Sequence, residues 1–229
     1  GIDENGNEYQ EDCTCLAARR NEQELEHSEY SELLRTKTFE RFTYKAEWQR
    51  EKAAACKNWT RQREYPLLAL FGKSGTGKTH LGVAAFRIAV ARGLHGMFVS
   101  WQTISGGLKA NIGTAEYERK MRDYKYAPLL YIDDFLWRPK GGIPTEADLR
   151  IAKEILDARL YNRRKTILTG NNTLRDIYSM SEEIAGRLNE YSGGSENYLL
   201  EFLPSYENYR FAPKLEEIHE NSPFDEEVV

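Results

Sequence analysis

Residues 72–80 read GKSGTGKTH, directly after the apolar run PLLALF at 66–71. Gly72, Gly77, Lys78 and Thr79 fill the pattern G-x-x-x-x-G-K-[ST], the spacing of a phosphate-binding loop. Glycines let the backbone fold tightly enough for successive N–H groups to point inward at phosphate oxygens. In that pattern the lysine reaches the β- and γ-phosphates, and the threonine hydroxyl ligates Mg²⁺. A helix starting here adds its positive N-terminal end to the same phosphates. The flanks agree, since Leu67 to Phe71 reads as a short buried strand and His80 to Ala91 as an apolar helix. The plainer reading, a glycine-rich turn between strand and helix, meets fewer of these constraints together. Contacts to ATP or ADP are expected from Gly72, Ser74, Gly75, Thr76, Gly77, Lys78, Thr79 and His80, with Mg²⁺ as second cofactor.

The chain has 229 residues, room for one ordinary α/β domain plus extensions. No run of about 18 apolar residues occurs, so no membrane helix is expected. The opening stretch GIDENGNEYQEDC is acidic and lacks an apolar core, so no secretory signal is expected there either. Three cysteines, Cys13, Cys15 and Cys56, do not make a disulfide framework and suit a reducing cytoplasm. The Cys13-x-Cys15 spacing is too short for a zinc knuckle. His27 and Cys56 are the residues that would have to complete such a site, against the reading of free thiols. Residues 1–35 carry a net −7 and residues 213–229 a net −5, so the overall −4 leaves +8 for the stretch between them. An acidic head and tail around a basic middle suit a core that meets nucleic acid. Ends that are merely solvated give the same pattern.

Strand and helix signals alternate beyond the loop. A helix over 78–92 ends at Arg92-Gly93, and Met97 to Ser100 is a second strand. Helices are predicted over 102–111 and 115–125, and a third strand over Leu129 to Ile132. Thr145 to Arg163 reads as a long helix with Thr145 and Asp148 as a capping box. A fourth strand over Thr166 to Thr169, a helix over Ser181 to Tyr191 and a fifth strand over Tyr198 to Leu203 follow. Before the loop, residues 1–20 look disordered, 22–35 read as a polar helix and Thr43 to Arg63 as an amphipathic one. The fold class is therefore α/β, a parallel sheet covered by helices on both faces.

LLYIDDF at 129–135 is a buried strand tipped with acids. Strand tips of a parallel sheet line the ligand crevice, so Asp133 is placed to hold the Mg²⁺. Asp134 is the candidate to orient or deprotonate an attacking water. TILTGNN at 166–172 also ends in polar residues, where Asn171, or alternatively Asn172, would bond the γ-phosphate and that water.

The order of these motifs, followed by an arginine in EEIAGRLNEYS, resembles the AAA+ ATPases, a P-loop NTPase class. Within them the chain is similar to DnaC/DnaI-type helicase loaders and the related IstB transposition ATPases. GKSGTGKTHL, GLHGMFVSWQTISGGLKANI, LDARLYNRRKTILTGNN and LPSYENYRF carry the likeness, over roughly 39–212. It implies Asp133 and Asp134 as the Walker B pair, Asn171 as sensor 1, and Arg187 as an arginine finger reaching a neighbouring subunit's ATP. Such a guanidinium stabilises charge that builds up in phosphoryl transfer. Several positions depart from the family pattern. Gly170 stands for the usual Ser, Glu183 for a further arginine, and Asp134 for the commoner Glu. No C-terminal lid domain is expected, which suggests weak hydrolysis by the chain alone.

Lys109, Arg119, Lys120, Arg122 and Lys125 interleave with Tyr117, Tyr124 and Tyr126, the chemistry of single-strand binding, although Glu116, Glu118 and Asp123 dilute it. The resemblance implies a partner-binding extension at 1–38, an ATPase domain at 39–212 and an acidic tail at 213–229. The implied activity is a cytoplasmic, bacterial or phage-encoded ATPase that assembles on single-stranded DNA as a homo-oligomer and delivers a replicative helicase. The rival is a transposition helper binding duplex DNA and a transposase. An ATP-gated adaptor that scarcely hydrolyses stands as a third reading.

Overall fold

The computed structural model describes residues 21, 23, 25–138 and 142–208. Its centre is a five-stranded sheet in the order β2-β3-β4-β1-β5. The strands are β1 (Leu67–Gly72), β2 (Gly96–Ser100), β3 (Leu129–Asp133), β4 (Lys165–Gly170) and β5 (Leu199–Phe202). All four pairings are parallel, with Leu70 opposite Thr169 and Ile132 opposite Leu168. Each strand falls within about two residues of its predicted place. Two-sided burial is why they read as unbroken apolar runs.

Side-chain alternation sends β1 into two cores. Leu67, Ala69 and Phe71 face one side, packing with helices α4 (Trp101–Ala110), α5 (Ala115–Tyr126), α6 (Glu146–Tyr161) and α8 (Glu182–Ser192). Leu68 and Leu70 face the other, against α1 (Ser31–Thr36), α2 (Glu47–Trp59) and α3 (Lys78–Ala91). Capping at α6 follows its sequence signature: Thr145 Oγ1 accepts from Asp148 N at 3.3 Å, and Asp148 Oδ2 accepts from Thr145 N at 2.8 Å.

Three local readings change. The helix read over 22–35 is interrupted by a turn at 27–30 before α1. Ser28 is the cause: its hydroxyl donates to Leu25 O at 2.6 Å and accepts from Tyr30 N at 3.3 Å, an alternative to helical pairing. The helix read over 43–63 contracts to α2, whose start is fixed by Gln49 Oε1 accepting from Lys45 N and Ala46 N. An unpredicted helix, α7 (Leu174–Met180), follows β4. Its Thr173–Asp176 capping box was a usable signal, but Ile177 is its one buried residue, so no apolar stripe announced it.

Packing runs unbroken across the boundary expected at 38/39: Leu34, Phe39 and Phe42 share one core with α3. Residues 1–20, with Cys13 and Cys15, and the acidic tail 213–229 lie outside the described residues. Cys56 is fully buried, and burial pushes its thiol well up. His27 is exposed, and no cluster of three or more metal-ligating side chains forms among the described residues.

Arg159 is a fully buried charge. Its guanidinium donates to Tyr124 O at 2.7 Å, Ala127 O at 3.0 Å, Lys165 O at 2.7 Å and Thr166 Oγ1 at 2.9 Å. One side chain thus ties α6 to the chain entering β3 and to the start of β4. A planar fork with five donors suits this, and an ammonium with three does not. Arg159→Leu is expected to cost at least about 3 kcal/mol in urea unfolding, because several buried acceptors lose their donor together. Arg159→Lys should recover only part. Wild-type stability for Arg159→Leu would refute the assignment.

Candidate functional site

The loop after β1 is shaped by glycines in left-handed backbone. Gly72 has φ +116°, and a Cβ there would sit 2.2 Å from Phe202 O. Gly77, φ +97°, ends the loop and opens α3; a Cβ there would lie 2.6 Å from the Phe42 ring. Thr76 Oγ1 closes the turn on Lys73 O at 2.8 Å. Lys78, 6% exposed, donates through Nζ to Gly72 O at 2.8 Å, Lys73 O at 2.6 Å and Asn171 Oδ1 at 3.1 Å.

Because β1, β4 and β3 are parallel neighbours, their C-terminal tips arrive side by side. Thr79 Oγ1 donates to Asp133 Oδ1 at 3.3 Å, and Thr169 Oγ1 donates to the same oxygen. Asp134 sits in left-handed backbone at φ +52°, in the turn after β3. Non-glycine residues adopt that conformation at a cost, often at functional sites. Asn171 Nδ2 donates to Asp134 Oδ1 at 3.2 Å. Lys78, Asn171 and Asp134 therefore form one bonded row and Thr79, Asp133 and Thr169 a second, and both line the same cleft. Asn172 turns away, its Nδ2 directed to Phe135 O at 3.5 Å.

These residues line a cleft of about 730 Å³ with Ser74, Gly75, Gly77, His80 and Trp137. Its other wall is the segment before α2, contributing Lys37, Arg41, Phe42 and Thr43. No spacing in the sequence pointed to that wall, which reaches the loop only through tertiary packing. Thr169 was findable, as a polar side chain ending an apolar strand. His80 spends its ring on the same wall: Nε2 donates to Thr38 O at 2.7 Å, and the ring meets Phe42 edge-on at 5.1 Å. Burial lowers its pKa, partly offset by the Thr38 carbonyl. A phosphate chain fits this loop, whose left-handed glycines carry it tightly around Lys78 Nζ. Thr79 and Asp133 offer the hard oxygen donors that Mg²⁺ takes beside phosphate oxygens.

Two sets of expected residues lie elsewhere. Arg187, on α8, is outside the cleft lining; its Nε donates to Asp157 Oδ1 of α6 at 2.7 Å. The five cations expected to meet nucleic acid do not make an open stripe. Lys109 pairs with the fully buried Asp148, Lys120 with Glu116 at 3.0 Å and Lys125 with Glu154 at 2.6 Å. Arg119 lies 3.9 Å from Glu116 and 3.8 Å from Asp123, and Arg122 is exposed. Acids one helical turn away neutralise Arg119 and Lys120, and acids of α6 neutralise Lys109 and Lys125. Tyr124 is buried and Tyr117 half-buried; Tyr126 is 51% exposed.

Residues 9–183 match the family described as IstB-like ATP binding protein. The phage-like element PBSX protein XkdC of Bacillus subtilis (strain 168) is 27% identical over 199 residues, covering 82% of this chain and 74% of that one. The uncharacterized protein YqaM of the same strain is 28% identical over 126 residues, 54% of this chain. The chain thus spans only 39% of the length of YqaM. The crystal structure of the DnaC helicase loader superposes with a TM-score of 0.56 at 22% identity, covering 75% of this chain and 97% of that one. At that identity the likeness is one of fold.

Asp148 holds Lys109, so its charge can be tested. Burial alone would raise this carboxyl, but bonds from Lys109, Ser105 and Thr145 override that and hold it well below the usual carboxylate range. A lowered folded pKa gives stability that is present above the unfolded value, near ~3.9, and lost as pH falls below it. Asp148→Asn is expected to lower Tm at pH 7 and to flatten the loss of Tm between about pH 5 and 2. An acid limb as steep as wild type would show that Asp148 does not carry it.

Proposed function

The chain belongs to the IstB-like ATP-binding protein family, and we propose that it is a weak, Mg²⁺-dependent ATPase that assembles on single-stranded DNA and loads a replicative helicase. The observation carrying the ATPase reading is the joining of Lys78, Thr79, Asp133, Asp134 and Asn171 at three adjacent strand tips. The likeness to the DnaC loader fold and the relationship to a phage-element protein support the helicase-loading part.

The roles follow from charge and reach. Lys78 exchanges its loop carbonyls for β- and γ-phosphate oxygens. Thr79 and Asp133 would hold Mg²⁺, which supplies positive charge against those oxygens when bound. Asp134 orients the attacking water and accepts its proton, while Asn171 fixes Asp134 and contacts the γ-phosphate. Asp is shorter than the commoner Glu, so turnover is slow. Arg187 leaves Asp157 for the phosphate of a neighbouring subunit's ATP. Its ion pair is partly exposed and cheap to break. ATP then lies between subunits and favours assembly.

The family match favours a second reading, a transposition helper that binds duplex DNA and a transposase. Light scattering with ATP and Mg²⁺ separates the two. Growth that requires a single-stranded oligonucleotide supports the loader, growth with duplex supports the helper, and a monomer throughout overturns DNA-driven assembly.

Two substitutions test the chemistry. Lys78→Ala is expected to weaken ATP binding more than about tenfold and to abolish hydrolysis; wild-type affinity and turnover would sink the loop assignment. Arg187→Ala should keep monomer ATP binding but lose about 10³-fold in turnover of the assembled state. Undiminished turnover there would remove the finger role.

A further inference from the structure

The sheet has a second rim. Its strands are parallel, so their N-terminal ends lie together on the side away from the nucleotide cleft, about 20 Å off for a strand of this length. The loops entering β1 and β4 meet there, since Leu67 pairs with Thr166 and Thr166 N donates to Pro66 O at 2.9 Å. They bring Arg61, Arg63, Arg163 and Arg164 to one edge. Arg92, at the end of α3, joins by donating to Thr60 O at 2.8 Å.

The charge here differs from that on α5. None of these five arginines has a carboxylate within 4.0 Å among the described residues, whereas four of the five cations expected to bind nucleic acid are ion-paired. Glu64 is the acid within the β1 entry loop. Instead of acids, the arginines use backbone: Arg163 Nη2 donates to Arg63 O at 3.5 Å and to Glu64 O. Arg164 and Arg159 repel each other. Arg163 also occupies left-handed backbone, φ +51°, just past α6, where glycine would fit without strain. The fold therefore tolerates like charge and backbone strain to hold guanidinium groups on this edge. Two flat rings stand beside them in solvent, Tyr161 at 84% exposure and Tyr126 at 51%. Both fall on the same rim, because Arg159 binds the carbonyls of Tyr124 and Ala127 and Tyr161 follows it by two residues.

We propose that this rim, the entry side of β1 and β4, is a nucleic-acid binding surface separate from the nucleotide cleft. Arginine forks match phosphate oxygens, and exposed tyrosines stack on bases, a combination that an acidic peptide would not require. A strand held here leaves the cleft open, so ATP and nucleic acid bind together. The inference rests on the DNA-linked reading above for its class of ligand only.

Fluorescence anisotropy with labelled single-stranded and duplex oligonucleotides, over a KCl series, tests it. Arg61→Glu with Arg63→Glu is expected to weaken binding at least tenfold and to reduce the salt slope by about 2, one for each lost phosphate contact. Unchanged binding of a fluorescent ATP analogue reports that the fold is intact. Tyr161→Ala should weaken single-strand binding and spare duplex if bases stack, which identifies the strand form held. Lys120→Glu with Arg122→Glu is the comparator on α5. Wild-type affinity and slope in the Arg61/Arg63 variant, or a larger loss in the α5 variant, overturns the rim assignment alone. No binding of either oligonucleotide by the wild type overturns the DNA-linked reading with it. Displacement of bound oligonucleotide by an equimolar polyglutamate would make an acidic protein the occupant and also overturn the proposal.

Discussion

One carboxylate oxygen, Asp133 Oδ1, joins the two halves of the cleft. It accepts the hydroxyls of Thr79, from the first turn of α3, and of Thr169, near the tip of β4. Three consecutive strands of the sheet thereby become one surface. That junction requires the strand order, since β4 must lie between β3 and β1 for Thr169 to reach Asp133 while Asn171 reaches Lys78. Parallel pairing supplies the common direction, and two buried faces supply the energy that holds hydroxyls and acids in register.

The cleft's second wall comes from a segment whose approach to the loop no sequence spacing indicated. Phe42 fills the space left by the missing Cβ of Gly77, and His80 reaches Thr38. A neutral imidazole suits that bond, and burial favours the neutral form. The segment around 37–43 thus packs on the loop directly. An aromatic contact and one hydrogen bond fasten the loop to it.

Charge is arranged by the same folding logic. On α5 the helical repeat sets acids one turn from Arg119 and Lys120, and Glu154 of α6 takes Lys125. On the opposite rim the arginines come from separate loops, with no such local partner. Among the described residues, the excess positive charge of the chain's middle stretch is therefore left without acid partners on the rim, where Arg163 and Arg164 stand, rather than on α5.

From sequence alone the phosphate loop, the acid-tipped strand, the polar end of β4 and the α/β class were all legible. Each is a local pattern: fixed spacing, a short apolar run, or a capping box at Thr145. The break at Ser28 and the helix after Thr173 were not read, because side-chain hydrogen bonds decided them where apolar periodicity was weak. Tertiary structure alone decided that Asn171 and not Asn172 meets Lys78. It also decided that Lys109 belongs to Asp148, and that Arg61 and Arg163 share an edge across 102 residues of chain. These outcomes depend on which strand lies beside which, and strand order is set by how the helices cover both faces of the whole sheet, a property no single stretch of sequence contains.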